Sequence, residues 1–359
     1  MRGKSRGMAK TAKTAFVATL VVLTVVVIAL ALWKLKIVIA LVFFGLIIAA
    51  AMRPGVDRLA EWRIPRPAGV LLHYAAIAGA VALLLWLVVP QATDQVSQAL
   101  NGVPTTRQEL NRQARHSTGI KHELLVGVQK RLKKLPAAGS VFHGAVAIGL
   151  KTFEVLVGIL FVFAVAAYWI FERDRAIRLV LSLTPSRHRP VIRDTWDLID
   201  LKLGAFVRGQ LLLVALVSTA LSLGFWAVGL PFWLLIGVVA GILELVPVIG
   251  PIAAGALAIA VGLTVSWHVA LAAGIVVLVV RLLEDYVVIP RVMGHVTGLS
   301  PLLVLVGVTV VGLLFGAFFV LLATPLLAVL VTLVDVIVRD KDPAEEDVPT
   351  LLFAKEREA

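Results

Sequence analysis

The stretch Gly241-Ile242-Leu243-Glu244-Leu245-Val246-Pro247-Val248-Ile249-Gly250-Pro251 decides how this chain is read. Pro247 and Pro251 have no amide hydrogen to give to a helix, and each restrains the residue before it. Gly250, between them, accepts backbone angles that other residues resist. A continuous helix is therefore not expected to pass through. On either side lie apolar arms, Phe232–Val246 and Ile252–Ser266, each about 15 residues and so roughly 22 Å long as helix. An acid, Glu244, sits at the break between Leu243 and Leu245.

The surroundings of that break are as apolar as its arms. The 359 residues are 60% hydrophobic and only 16% charged, with a mean hydropathy of +0.98. Soluble domains carry about 25% charged residues. A chain this apolar cannot cover a water-facing surface, and a lipid bilayer removes the need to. The formal net charge of +12 fits Lys and Arg gathered on cytoplasmic loops. Nucleic acid is not an expected partner, since that would need a basic, solvated domain with stacking aromatics. There is no cysteine, hence no disulfide framework and no thiolate metal site. The nearest approach to a P-loop, Gly144 to Gly149 followed by Leu150-Lys151-Thr152, is interrupted at Leu150 and lies in an apolar run. No metal-ligand spacing or nucleophile elbow is present. No catalytic residue, metal or cofactor is expected, and the chain is not read as an enzyme.

A membrane span needs about 20 apolar residues. Candidates are Ala15–Trp33, Ile37–Met52, Ala68–Val89, Ala145–Phe171, Val207–Leu230, the two short arms, Val269–Leu283, Leu299–Phe315 and Ala317–Val338. The fold class expected is an all-α polytopic membrane protein of about eight transmembrane helices plus a broken, re-entrant helical hairpin. Two fully crossing arms would raise the count to about ten with the same end points. The divisions are a basic cytoplasmic N-terminus (1–14), three spans (15–90), an extracytoplasmic helical segment (91–144) and a fourth span (145–171). A cytoplasmic amphipathic segment (172–206), a C-terminal bundle (207–338) holding the broken hairpin (232–266), and an acidic cytoplasmic tail (339–359) follow.

Basic loops set the orientation. Arg2, Lys4, Arg6, Lys10 and Lys13 place the N-terminus in the cytoplasm. Arg53, Arg58, Arg63 and Arg66, and later Arg173, Arg175 and Arg178, return to the same side. Both termini are then cytoplasmic, in a multi-pass inner-membrane protein. In 91–144, Leu124, Val128, Leu132 and Leu135 recur at helical spacing. In 172–206, Ile192, Trp196, Ile199 and Leu203 form one apolar face, expected on the inner membrane surface, with Asp194, Asp197 and Asp200 off it and solvated. The tail carries Pro343 and Pro349 among acids and reads as disordered.

Two polar clusters are candidates for function. The first is the break itself, with Glu244, Pro247, Gly250 and Pro251. Irregular backbone at bilayer depth is tolerated where it is buried in protein or faces a cavity. An acid there is costly unless protonated, paired or hydrated. Two readings stay open for Glu244, a cation- or proton-linked transport site and a carboxylate that caps freed amides. The second cluster is Arg281, Glu284 and Asp285, followed by Pro290 and Gly294. Arg281 precedes the two acids by three and four positions, so one helical turn can pair them. It reads either as a gate on the substrate path or as an ordinary charged loop at a span end.

Taken together, these residues resemble the autoinducer-2 exporter-like family, the PerM-type permeases. The resemblance rests on Lys202-Leu203-Gly204 with Arg208-Gly209-Gln210, and on Gly229-Leu230-Pro231-Phe232 with the Glu-x-x-Pro-x-x-Gly-Pro core. It extends through Glu284-Asp285, Pro290, Gly294, Gly298-Leu299 and Pro301, then Gly312, Gly316 and Ala323-Thr324-Pro325-Leu326. It implies an eight-span permease that forms a homo-oligomer, a pentamer being the arrangement suggested. It also implies export of autoinducer-2 for some members and sodium/proton antiport for others. The function expected is transport of a small solute or ion, secondary or ion-coupled. The alternatives are a passive oligomeric pore, a sodium/proton antiporter, or a non-transport membrane scaffold.

Overall fold

The computed structural model describes residues 2–101, 138–247, 249–292, 299–346 and 348, and all of the regular structure among them is helical. Helix α1 (Arg2–Lys34) is joined through Leu35 to α2 (Lys36–Glu61). Then come α3 (Arg66–Asn101), α4 (Ala138–Ser182), a short 3-10 turn and α5 (Arg189–Ala227). The arms of the break are α6 (Trp233–Leu243) and α7 (Ile249–Leu263). Helix α8 (Trp267–Leu283) runs through a π-turn (Glu284–Val288) into the short α9 (Ile289–Val292). Helices α10 (Pro301–Phe315) and α11 (Ala317–Ile337) close the bundle.

Local chemistry sets several of these ends. Ser266 and Ser300 each accept, through Oγ, the backbone N–H three residues on, at 3.2 and 3.3 Å. Both are N-caps, of α8 and α10, and Pro301 follows Ser300 at the first helical position, where its missing N–H costs nothing. Gly316, at φ 98°, turns the chain between α10 and α11 in a conformation that a side chain would strain.

Six of the described helices are long and apolar enough to cross a membrane, and α6, α7 and α10 are apolar but shorter. Large apolar side chains such as Trp86, Leu160 and Leu313 point outward. In water that surface would drive aggregation; in a bilayer it is the solvated face. The protein is thus an all-α polytopic membrane protein.

Helix α5 is the centre of the bundle. Its residues Val217, Leu221 and Phe225 form one core with Leu230, Ile236, Ala240, Ala254, Ala258 and Ala273. Lower down, Leu203 joins Ala40, Ile47 and Ala50 of α2 and Leu322 of α11. Gly204 allows that contact, because a Cβ there would run into the Ala50 carbonyl.

The arms of the break form the expected hairpin. Gly237 of α6 lies against Ser222 of α5, and Gly241 against Ser218, so these two helices are antiparallel. Gly255 and Gly262 of α7 face Val277 and Ala270 of α8, again antiparallel. Gly224 of α5 meets Val276 of α8. The hairpin therefore enters and leaves at the same end of the bundle. At 11 and 15 residues its arms reach about 16 and 22 Å, short of the roughly 30 Å of a bilayer core.

Several expectations need correcting. The arms end at Leu243 and begin again at Ile249, not at Val246 and Ile252. Pro251 lies in the first turn of α7, where no helical amide bond is required of it. Trp196, Ile199 and Leu203 face protein rather than the membrane surface: Trp196 stacks on Trp169 at 5.7 Å, and Ile199 packs with Leu203 against α2. Asp200 is not solvated but ion-paired within the protein. The first part of the tail is ordered, with Pro343 buried. Gly294, the Leu124–Leu135 stripe and the end of the tail lie outside the described residues.

Candidate functional site

The break is short and largely satisfies its own backbone. Glu244 N–H donates to the Ala240 and Gly241 carbonyls, and Val246 N–H to the Leu243 carbonyl. Ile249 N–H bonds the Pro247 carbonyl and Gly250 N–H the Val246 carbonyl, both at 2.8 Å. Pro247 sits in the turn, and Gly250 lets α7 start against the end of α6, since a Cβ there would strike the Leu243 carbonyl. One reading of the sequence had freed amides capped by a carboxylate. These amides are instead bonded to nearby carbonyls.

Among the described amides of the break, none donates to the Glu244 side chain. Its Oε1 lies 3.0 Å from Arg281 Nη1, near the end of α8. The same Nη1 is 3.2 Å from Glu284 Oε2, and Arg281 Nη2 is 2.9 Å from Asp285 Oδ1. The two clusters read separately in the sequence are thus one site. Glu244 and Glu284 are only 8% and 3% exposed. Three carboxylates converge on one guanidinium, leaving an excess of negative charge for which a proton or a cation is the natural complement.

Three elements hold this geometry. Helix α5 contributes Gln210, whose Nε2 donates to the Glu244 backbone carbonyl at 3.1 Å. The hairpin tip presents Glu244. Helix α8 presents Arg281, and the π-turn carries Glu284 and Asp285, with Ile289 N–H bonded five residues back to the Glu284 carbonyl. Pro290 lies in α9, two positions after the π-turn, where its ring and missing N–H disfavour a regular helix through the preceding turn.

Other polar groups packed between the helices were not read as functional from the sequence. Arg208 Nη1 donates to the Ala51 carbonyl at 3.2 Å. Arg173 of α4 is bonded to Asp200 of α5 at 2.5 Å and to Asp197. Arg53 of α2 reaches Asp200 at 3.6 Å, and Asp57 meets both Arg53 and Arg66. This network ties α2, α4 and α5 together. It stands apart from Glu244, since Asp200 and Gln210 are separated by about 15 Å along α5. Lys202 is also buried, beside Thr332. Arg173 stands among other charges in Glu172-Arg173-Asp174-Arg175 and Lys202 in an amphipathic segment, so local sequence carried no signal for their burial, and their partners come from distant sequence.

Comparison with known proteins agrees with this architecture. The family model described as AI-2E family transporter matches residues 20–339. "Putative transport protein YueF" of Bacillus subtilis is 31% identical over 309 residues, covering 81% of this chain and 83% of that protein. "Putative transport protein YrrI" of the same organism is 25% identical over 306 residues, covering 82% and 86%. "Putative transport protein sll0063" of Synechocystis sp. is 27% identical over 188 residues, covering 52% and 47%. The matched region takes in the spans, the re-entrant hairpin and the Glu244–Arg281 site together, and the chain belongs to the AI-2E family of membrane transporters.

Proposed function

We propose that this transporter works as an ion-coupled secondary permease that exports a small polar solute, with the Glu244–Arg281–Glu284–Asp285 cluster on its transport path. Both termini face the cytoplasm, and the protein acts as a homo-oligomer. The observation that carries the reading is the buried acid at the tip of a re-entrant hairpin, paired to a cation shared with two more acids. Broken helices in secondary transporters commonly build ion and substrate sites in this way. Pro247, Gly250 and Pro251 shape the tip, and Arg281 links its position to α8. When Glu244 takes up a proton or a cation, its attraction to Arg281 weakens and the hairpin is freed to shift against α8.

The test is proteoliposomes loaded with a pH-sensitive dye, across which sodium and potassium gradients are imposed in turn. The wild type should move protons in response to one of them. Glu244→Gln should reduce that signal to the level of empty vesicles while eluting in size-exclusion chromatography as the wild type does. Gradient-driven proton movement that survives Glu244→Gln would refute the assignment. Ohmic conductance without any gradient coupling would replace it with a passive pore.

A further inference from the structure

At the end of the bundle away from Trp33 and Phe315, Lys202 of α5 is only 4% exposed. Its Nζ donates to Thr332 Oγ1 of α11 at 3.0 Å and lies 2.7 Å from Oε1 of Glu346, in the tail. Thr332 Oγ1 in turn donates to the Ala328 carbonyl at 2.8 Å, so its remaining capacity is as the acceptor Lys202 uses. Among the described residues no other carboxylate lies within ion-pair distance of Lys202. The ammonium is therefore matched by a single anionic oxygen delivered from outside the bundle.

The tail is built to deliver it. Asp335, buried near the end of α11, pairs with Arg339 at 2.8 Å and Lys341 at 2.7 Å, and its carbonyl accepts Lys341 N–H. These bonds fold the chain back as it leaves the helix. Asp342-Pro343-Ala344-Glu345 then makes a β-turn. Glu345 N–H bonds the Asp342 carbonyl, and Ala344 N–H bonds Asp342 Oδ1 at 2.9 Å. Asp at the first position and Pro at the second are what this turn favours. Pro343 is buried against the protein, and Glu346 follows directly.

We propose that Lys202 and Thr332 form a binding site for an anionic oxygen ligand, a carboxylate or a phosphate, and that Glu346 occupies it as a tethered stand-in. The tail is then a displaceable plug. A short tether holds its carboxylate at an effective concentration on the order of millimolar, so a free anion competes only above that level or once the tail is removed. The site is distinct from the Glu244 cluster and its chemistry does not depend on the transport reading.

The experiment reads lysine accessibility rather than flux. Protein in phosphatidylcholine vesicles is treated briefly with an amine-acetylating reagent, and the modification of Lys202 is measured by mass spectrometry against exposed Lys341. Three forms are compared: the wild type, Glu346→Gln, and a chain ending after Lys341. Lys202 labelling should rise roughly tenfold in both variants, as an opening that the tail had suppressed becomes populated. Inorganic phosphate at tens of millimolar, above the tether's effective concentration, should restore protection in the variants if the ligand is a free anion. Replacing part of the phosphatidylcholine by phosphatidylglycerol should do so if it is a lipid headgroup. Unchanged labelling in both variants would overturn the plug. Raised labelling that neither phosphate nor phosphatidylglycerol reduces would overturn the anion site.

Discussion

Replacing Arg281 by methionine keeps most of the length and the apolar stem of the side chain and removes only its charge. In the folded protein Glu244 and Glu284 lean on the same Nη1, at 3.0 and 3.2 Å, and both are buried. Removing one partner of a buried ion pair costs about 3–5 kcal/mol, because the other charge is left without compensation. The Arg281 side chain is itself 33% exposed, so water screens part of the interaction and the low end, about 3 kcal/mol, is the expected loss. For a chain of 359 residues each kcal/mol moves the melting temperature by about 1.3 °C, so Arg281→Met should melt about 4 °C below the wild type. The eight tryptophans provide a fluorescence readout in detergent micelles, taken at one fixed scan rate because membrane proteins unfold irreversibly. The control is the triple variant Arg281→Met, Glu244→Gln, Glu284→Gln. It removes the orphaned charges along with the cation and should recover most of the loss, as contacting residues do in a mutant cycle. A single variant melting within about 2 °C of the wild type would refute the claim that these acids depend on Arg281, as would a triple variant no more stable than the single one.

Two further substitutions test the packing around the site. Gly250→Ala places a methyl group against the Leu243 carbonyl and 2.6 Å from its carbon, a backbone obstruction that should cost at least about 2 kcal/mol. Gly79→Ala, with nothing within 4 Å of its Cβ, is the neutral control in the same melting assay. Asp200→Ala leaves buried Arg173 with the half-exposed Asp197 as its remaining α5 partner and should destabilise by about 2–4 kcal/mol. Asp194→Ala should stay within about 0.5 kcal/mol in thermal unfolding.

The fold was legible where local chemistry decided it and obscure where a distant partner did. Two prolines and a glycine announce a break by their own backbone limits, so the hairpin could be read from eleven consecutive residues. The arm ends were misplaced by three residues each, because proline disrupts a helix interior but is harmless in a first turn, where Pro251 sits. The pairing of Arg281 with Glu284 and Asp285 follows from helical spacing. Its bond to Glu244, far away in sequence, exists only because the hairpin returns alongside α8. Asp200 shows how a one-face rule fails. An amphipathic stripe assigns the other face to water, but α5 is packed by α2, α4 and α11 on several sides, so a residue off the stripe is still inside. The tail misled through composition. Acids and prolines usually mean disorder, yet Asp342-Pro343 is also a turn signal, and its destination, Lys202, lies on another helix.

The placement of Arg281 gives the proposed coupling its physical form. The guanidinium holds two acids from its own helical turn and the following residue, Glu284 and Asp285, and one acid from the hairpin. If the hairpin moves relative to α8, Arg281 keeps two partners and loses one, so its own charge stays matched. Glu244 loses the one cation it has among the described residues. The imbalance created by the motion falls on that single carboxylate, at the tip of the element that moves. A proton or a metal cation on Glu244 cancels it, and the motion then costs little; without one, the carboxylate would be stranded where solvation is poor. Glu284 serves this purpose less well, because it travels with Arg281 and loses only its contact with Glu244. A substitution at Glu284 should therefore shift stability more than ion coupling, and one at Glu244 the reverse. Equal loss of gradient-driven proton movement from Glu244→Gln and Glu284→Gln would mean that the hairpin and α8 move as one body.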